Sequence, residues 1–272
     1  VTFSGLNAAY CVDAPVAALS GFPGGGAFSG PGITGNNFTP ATAGVGLHSI
    51  TYTFTDSDGC TDDSTKSVTV NGLPVVSFSG LNIAYCIDAI PALLSGSPAG
   101  GMFSGNGISG NSFYASVADT GTHTITYTYT DGNSCTNSQS QNTVVTTLPV
   151  VSFSGLAPAY CVDAPLATLS PSPLGGTFSG PGISGTAFDP SSAGVGSHTI
   201  KYVYSDGGGC TDSTTQTVVV NGLPLVTFSG LNAAYCVDAS AATLSGFPAG
   251  GTFSGTGITG NNFTPAAAGV GT

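Results

Sequence analysis

The sequence predicts an all-β protein built from tandem, disulfide-containing β-sandwich domains, and three observations lead to this prediction. Several good helix formers are absent or scarce, since the 272 residues include no Glu, no Arg, one Met and two Lys. Strand-favouring Val, Ile, Thr, Tyr and Phe are abundant, and 42 Gly and 17 Pro supply many turns. One unit of sequence also recurs along the whole chain, which is the signature of a repeat array.

The cysteines and histidines set the phase of the repeat. The dipeptide Tyr10-Cys11 recurs at a constant interval of 75 residues, at 85–86, 160–161 and 235–236. A second cysteine and a single histidine keep the same interval: Cys60, Cys135 and Cys210, and His48, His123 and His198. These intervals predict four domains, namely repeat 1 (1–74), repeat 2 (75–149), repeat 3 (150–224) and an incomplete repeat 4 (225–272).

Each repeat carries the strand signals of a small sandwich. The clearest in repeat 1 is 47–55, where His48, Ile50, Tyr52 and Phe54 alternate with Ser and Thr. This period of two places one face in the core. A turn at 56–59 and a last strand at 66–70 follow, and shorter strands are predicted at 1–4, 8–13, 17–20, 27–29 and 37–39. Six or seven strands in about 75 residues indicate a two-sheet domain.

The linkers between repeats are short, as in Asn71-Gly72-Leu73-Pro74 and its counterpart at 221–224. Proline fixes its own backbone angle and restrains the residue before it. We therefore expect the repeats to be arranged as a semi-rigid rod, in which three repeats reach on the order of 100 Å.

The charge pattern excludes several kinds of partner. All 13 acidic residues are Asp, and Lys66 and Lys201 are the only basic side chains apart from three His, which gives a net charge of -11. Nucleic acids and anionic membrane surfaces need clustered Lys and Arg, so neither is an expected partner. No apolar stretch reaches the roughly 18 residues of a spanning helix, so no membrane span is expected.

Several motifs resemble a known class of repeat. They are Thr-Phe-Ser-Gly at 252–255, Gly-Ile-Thr-Gly-Asn at 257–261, the strand 196–202, and Gly-Cys-Thr at 209–211. Together they resemble the Ig-like and PKD-like tandem repeats of large Bacteroidota cell-surface proteins, of which type IX-secreted gliding-motility adhesins are the best-known examples. The last segment is also similar to the end of a hyalin-type repeat. The resemblance implies tandem Ig-like β-sandwich domains and an extracellular, cell-surface location.

The cysteines are expected to form one disulfide per domain. The two cysteines of a repeat are far apart in sequence and form no Cys-x-x-Cys motif, so they do not fit a zinc site. A small domain gains about 4 kcal/mol from closing such a loop. The unbroken phase leads us to expect the pairs Cys11–Cys60, Cys86–Cys135 and Cys161–Cys210, with Cys236 unpaired. Disulfides imply an oxidising compartment.

The aspartates near the cysteines have two interpretations. If each repeat closes its own disulfide, one carboxylate follows the first cysteine and one precedes the second in the same region, which makes calcium a possible cofactor. The candidates are Asp13, Asp56, Asp88, Asp131, Asp163 and Asp206. The favoured alternative is structural: Asx-turns and caps, since Asp58 is replaced by Asn133 and Gly208 in the later repeats. No other cofactor is expected.

Other polar motifs carry weaker predictions. No nucleophile or acid lies at a sequence spacing from the histidines that marks a catalytic site, so the histidines are expected to be structural and the protein is expected not to be an enzyme. Glycosylation is plausible at the sequons of Asn37 and Asn262 and at the Asp-Ser-Thr motifs of Ser64 and Ser213.

The function that these features favour is a stalk or filament segment of an extracellular bacterial surface adhesin. The alternative is that each repeat is a glycan- or protein-binding module. Expected partners are neighbouring repeats of the same chain, with possible self-association into fibres and a possible extracellular glycan or surface. Because repeat 4 stops before its second cysteine, we also expect the natural chain to continue past Thr272.

Overall fold

The computed structural model of the chain describes residues 1–271. These residues fall into two compact units: the first comprises 1–149 together with 206–210, and the second comprises 150–205 and the residues from 211 onward. The same succession of short strands recurs in phase with the sequence repeat. The predicted all-β class is confirmed.

The elements of the first two repeats follow one plan. Repeat 1 contains β1 (Thr2–Ser4), β2 (Ala9–Cys11), β3 (Ala17–Ala18), β4 (Ser20–Phe22), β5 (Ala27–Ser29), β6 (Ile33–Thr34), β7 (Asn37–Phe38), α1 (Pro40–Ala43), β8 (Gly46–Thr55) and β9 (Thr61–Asn71). Repeat 2 contains β10 (Ser77–Ser79), β11 (Ala84–Cys86), β12 (Ala92–Leu93), β13 (Ser95–Ser97), β14 (Met102–Ser104), β15 (Ile108–Ser109), β16 (Ser112–Phe113), α2 (Ala115–Ala118), β17 (Gly121–Thr130) and β18 (Thr136–Thr146).

The later repeats keep the plan, although repeat 4 has fewer strands among its described residues. Repeat 3 contains β19 (Ser152–Ser154), β20 (Ala159–Cys161), β21 (Ala167–Thr168), β22 (Ser170–Ser172), β23 (Thr177–Ser179), β24 (Ile183–Ser184), β25 (Ala187–Phe188), α3 (Pro190–Ala193), β26 (Gly196–Ser205) and β27 (Thr211–Asn221). Repeat 4 contains β28 (Thr227–Ser229), β29 (Ala242–Thr243), β30 (Ser245–Phe247), β31 (Ile258–Thr259), β32 (Asn262–Phe263) and α4 (Pro265–Ala268).

Each of the first three repeats is organised around one long hairpin. In repeat 1, β8 and β9 pair antiparallel from Gly46↔Val70 to Thr55↔Thr61. The hairpin forms the middle of a four-stranded sheet in the order β2-β9-β8-β5, in which β2 runs parallel to β9. A three-stranded sheet (β3-β7-β6) and the pair β1-β4 complete the repeat.

The core of repeat 1 lies between these sheets. Ile50 and Tyr52 of β8 and Val68 of β9 are buried against Phe3 of β1 and Phe38 of β7. This matches the predicted inward face of strand 47–55, which the structure extends by one residue to Gly46. The final strand is longer than predicted because its first half, from Thr61, pairs with the outer end of β8 although its side chains are mostly exposed.

The buried tyrosine of the long hairpin also fixes a neighbouring turn. The Tyr52 hydroxyl donates to the Pro23 carbonyl oxygen (2.6 Å) and accepts from the Gly26 amide (2.8 Å). Tyr127 and Tyr202 make the same pair of contacts in repeats 2 and 3. The tyrosine therefore joins the core to the turn between β4 and β5.

Candidate functional site

The chemically distinctive feature of the described residues is the tip of the long hairpin, which carries the second cysteine. In repeat 2 the Asp131 carboxylate oxygen Oδ1 accepts from the amides of Asn133 (2.8 Å) and Cys135 (2.9 Å). The Ser134 amide donates to the Asp131 carbonyl oxygen (3.1 Å), and Ser134 has a φ of 63°. The carboxylate thus builds a tight Asx-type turn that presents Cys135 at its end.

The hairpin tips of repeats 1 and 3 have the same geometry. Asp56 and Asp206 each accept from the amides two and four residues later, at 2.8–3.0 Å. Glycine occupies the left-handed position in both turns, at Gly59 and Gly209, where it avoids the strain of a side chain.

Both disulfides join a hairpin tip to the first cysteine strand of the preceding repeat. Cys11 is bonded to Cys135, and Cys86 is bonded to Cys210, each across a sequence separation of 124 residues. The predicted pairs Cys11–Cys60, Cys86–Cys135 and Cys161–Cys210 are therefore wrong. Cys60, Cys161 and Cys236 are exposed free thiols, although only Cys236 was predicted to be unpaired.

The topology of a repeat explains the correction. Cys11 ends β2, which runs parallel to β9 and lies opposite Asn71 at the end of that strand. Cys60 immediately precedes β9, at its other end. A strand of this length spans about 36 Å, whereas cysteines can be bridged only when their Cα atoms lie within about 7 Å. The Cα atoms of Cys11 and Cys135 are 5.5 Å apart.

Bonding removes the tip cysteine from solvent. Cys135 and Cys210 are 0% and 1% exposed, and the Cys210 sulfur lies 3.2 Å from the Thr146 hydroxyl oxygen. Cys60, in an equivalent turn without a bonded partner, is exposed. The difference shows that the tips carrying Cys135 and Cys210 are packed against the preceding repeat and are not held there by the disulfide alone.

The calcium hypothesis loses its premise. It required Asp13 and Asp56 to be drawn together by a disulfide within one repeat, and likewise Asp88 with Asp131 and Asp163 with Asp206. Within residues 1–271, no three His, Cys, Asp or Glu side chains are grouped so that they could hold a metal ion. The carboxylates at the tips instead accept hydrogen bonds from their own turns, which supports the Asx-turn interpretation.

The histidines contact backbone. His48 Nε2 lies 2.8 Å from the Gly44 carbonyl oxygen at the end of α1, and His198 Nε2 lies 2.8 Å from that of Gly194. His123 Nε2 lies 2.9 Å from the Asp119 carbonyl oxygen. Each ring therefore ties the start of the long hairpin to the short helix before it, a structural contact.

The glycosylation candidates differ in accessibility. Asn37, Asn262 and Ser213 are exposed, whereas Ser64 is half-buried. The Asn262 side-chain oxygen accepts from the Thr243 hydroxyl (3.2 Å). Modification at these positions stays a prediction.

One contact of a polar side chain was not anticipated from the sequence. Lys66 Nζ donates to the Phe3 carbonyl oxygen and lies 4.8 Å from the centre of the Phe3 ring. Gln141 and Gln216 make the corresponding backbone contacts to Phe78 and Phe153. The three residues occupy the same position of the repeat, on the outward face of its last strand. Nothing in the sequence except this shared position indicated the contact.

Comparisons with known proteins give no family. No family model and no curated protein matches the chain. Similar solved structures include a Ca²⁺-stabilised adhesin with which an Antarctic bacterium binds ice (15% identity, 94% of this chain and 83% of that chain, TM-score 0.33). A tetra-tandem repeat from the extending region of a large adhesion protein has 13% identity, covering 85% and 76%, with a TM-score of 0.27. The protocadherin GammaB4 extracellular domain has 18% identity, covering 85% and 51%, with a TM-score of 0.27.

These likenesses, at TM-scores well below 0.5, are too weak to carry an inference about this chain. In the part of the chain that the structure describes, no helix is long and apolar enough to cross a membrane.

Proposed function

We propose that this chain is a structural spacer, a stalk or filament segment of an extracellular bacterial surface adhesin. The observation that carries the proposal is the disulfide pattern. Both cystines bond the first cysteine of one repeat to the hairpin tip of the next repeat along the chain. Repeats that bind ligands independently do not need covalent bonds between repeats, whereas such bonds give a spacer cohesion along its length.

The use of the recurring polar side chains supports the same function. The tip aspartates accept hydrogen bonds from their own turns, the histidines contact backbone carbonyl oxygens, and the core tyrosines fix a turn. These side chains recur in every complete repeat, and each is already engaged in holding its own repeat together. The proposal accordingly treats the four repeats as spacer domains with the predicted boundaries.

The location follows from chemistry and from the sequence resemblance. Disulfides persist in secreted and surface proteins and are rare in reducing cytosol. The adhesin assignment and a Bacteroidota type IX origin rest on the repeat motifs alone. A rod-like arrangement and bundling into fibres belong to the same proposal.

A second candidate, a glycan-binding module, is favoured by an exposed aromatic ring at the same position of repeats 1 and 4. Phe22 is 74% exposed beside the β4–β5 turn, and Phe247 is 69% exposed at the same position of repeat 4. Exposed aromatic faces are suited to stacking on sugars. Repeats 2 and 3 have Ser97 and Ser172 there, so a platform of this kind would not be a property of every repeat.

A binding screen separates the two functions. The purified chain is applied to a glycan array beside its Phe22→Ser and Phe247→Ser double variant, which reproduces the serines of repeats 2 and 3. The spacer proposal predicts no saturable binding by either protein. Binding that the double variant loses would replace the spacer by a module.

A length experiment tests the spacer directly. In-frame deletion of 75–149 keeps the cysteine phase, so that Cys11 can bond to Cys210, and it removes one repeat. A binding domain displayed on the shortened chain should keep its affinity and lose reach. Loss of the displayed domain's affinity on deletion would contradict a purely spacing role.

A further inference from the structure

We propose that the two disulfides make the chain covalently redundant, so that three backbone segments connect the two disulfides in parallel and the shortest of them limits extension. The inference rests on the proposed spacer function for its purpose, but its geometry rests only on which cysteines are bonded. It gives the spacer two mechanical properties: resistance to severing and a limit on extension.

The parallel arrangement follows from the overlap of the two loops that the disulfides close. Each disulfide is a covalent junction between two points of the backbone: the first junction joins Cys11 to Cys135, and the second joins Cys86 to Cys210. Segment 11–86 runs between the two junctions, segment 86–135 runs back between them, and segment 135–210 runs between them again. Cleaving any one segment, or any two, leaves the junctions covalently connected.

The pairing within repeats would behave differently. If each repeat closed its own disulfide, the linkers at 71–74 and 146–149 would lie outside every loop, and one cut there would separate the chain. The observed pairs place the first of these linkers inside the loop of Cys11–Cys135 and the second inside the loop of Cys86–Cys210. The linker at 221–224 lies beyond both loops.

The shortest segment limits extension. The reduced chain can extend along its whole course from Cys11 to Cys210, whereas the bonded chain can extend only until the segment from Cys86 to Cys135 is taut. At about 3.3–3.6 Å per residue, these two stretches of about 200 and about 50 residues reach about 700 Å and about 170 Å. The disulfides therefore reduce the maximum extension between Cys11 and Cys210 about fourfold.

A single engineered cut tests the redundancy. A protease recognition sequence is inserted between Thr147 and Leu148 in the full chain, and a matched control carries it between Gly222 and Leu223, the equivalent point of the next linker. After cleavage, the first protein should stay one species on a non-reducing gel and separate only with dithiothreitol. The control should separate without reductant.

Cysteine variants identify the bond responsible. With the cut at 147–148, Cys210→Ser should let the fragments separate without reductant, whereas Cys60→Ser, the same tip position without a bonded partner, should not. Mass mapping of the non-reduced peptides checks that no new pair replaces the lost one. Separation of the otherwise unmodified cleaved chain without reductant would overturn the proposal.

Pulling on the two ends of the chain tests the limit on extension. Cys60→Ser should leave the limit at the segment from Cys86 to Cys135, and Cys135→Ser should lengthen the path from Cys11 to Cys210 to about 75 residues, or about 260 Å. A longer maximum extension of the Cys60→Ser variant would show that cysteines pair within repeats and would contradict the inference. These readouts do not depend on ligand binding, so a positive glycan screen would remove the spacer function and leave the redundancy standing.

Discussion

The tripeptide Ala-Tyr-Cys forms a strand at Ala9–Cys11 of repeat 1, while the identical tripeptide at 234–236 of repeat 4 does not. Thr-Phe-Ser likewise forms β23 at Thr177–Ser179, and the same three residues at 252–254 form no strand. In the complete repeats these two strands flank the long hairpin, on the side of its last and first strands respectively. Repeat 4 has no counterpart of the long hairpin among its described residues, so the flanking segments have no backbone partners.

Burial changes in the same way. Phe153 in β19 is 6% exposed, whereas the equivalent Phe228 in β28 is 59% exposed. The elements that need only local partners persist, since β29, β31 and β32 still form a three-stranded sheet and Leu244 is 3% exposed. The comparison shows that the hairpin supplies both the central ladder and the side chains that close the core.

Supplying the missing hairpin should have the largest effect. A chain extended after Thr272 by a copy of residues 198–221 should form the absent strands and bury Phe228. The amide of Val237, whose equivalent Val12 donates to the Asn71 carbonyl oxygen (2.8 Å), should then exchange with deuterium at least about 100-fold more slowly.

The control for this extension is an appended copy in which the residues matching Ile200 and Tyr202 are serine. It keeps the length but not the core side chains, so it should give no protection at Val237. Equal protection from both extensions would mean that the hairpin's backbone alone orders repeat 4.

Removing one aromatic ring should destabilise a complete repeat much more than the incomplete repeat 4. Phe153→Ala should destabilise repeat 3 by about 3–5 kcal/mol, because a buried ring leaves a cavity. Phe228→Ala should change the stability of repeat 4 by no more than about 0.5 kcal/mol, because most of the ring is already in water. Hydrogen exchange resolved by repeat measures both, and similar losses at the two sites would contradict the comparison.

A smaller effect is expected at the hydroxyl of the core tyrosine. Tyr202 is 0% exposed, and its hydroxyl donates to the Pro173 carbonyl oxygen and accepts from the Gly176 amide. Tyr202→Phe leaves both partners unsatisfied and should destabilise repeat 3 by about 1–3 kcal/mol. Tyr204→Phe, at a half-buried position on the same strand, is the matched control and should be nearly neutral in denaturant titrations.

The smallest effect concerns the start of α3. Hydrogen bonds from the Ser192 hydroxyl and, to a smaller extent, from the Ser191 hydroxyl lower the pKa of the Asp189 carboxyl from 3.8 to about 2. A lowered pKa means that the capping contribution is present above pH 3.8 and is lost as the pH falls through 2. At the equivalent positions Thr39 and Thr264 make no side-chain capping bond.

Acid should therefore loosen the turn at α3 selectively. An NMR titration from pH 6 to pH 1.5 should show the Ser191 amide shifting with a midpoint near pH 2, and Asp189→Thr, which copies repeats 1 and 4, should abolish the shift. A midpoint at the ordinary carboxyl pKa would show that the serines do not stabilise the ionised form.

The sequence by itself determined the all-β class, the period of the repeat, and the inward face of the strand that carries Ile50 and Tyr52. It also pointed to Asp56 as a turn residue. These features depend on local propensity and on alternation within one strand, so a single chain displays them directly. The short helix at Pro40–Ala43 and the full length of β9 were missed, because neighbouring contacts set their limits.

Only the tertiary structure decided which cysteines meet. In a chain with a constant repeat length, the second cysteine of a repeat and that of the next repeat keep the same phase, so spacing could not choose between Cys60 and Cys135 for Cys11. The parallel pairing of β2 with β9 made the choice, because it places Cys11 and Cys60 at opposite ends of β9. A disulfide reaches only across a few ångströms, so strand order and direction, rather than distance along the chain, govern the pairing.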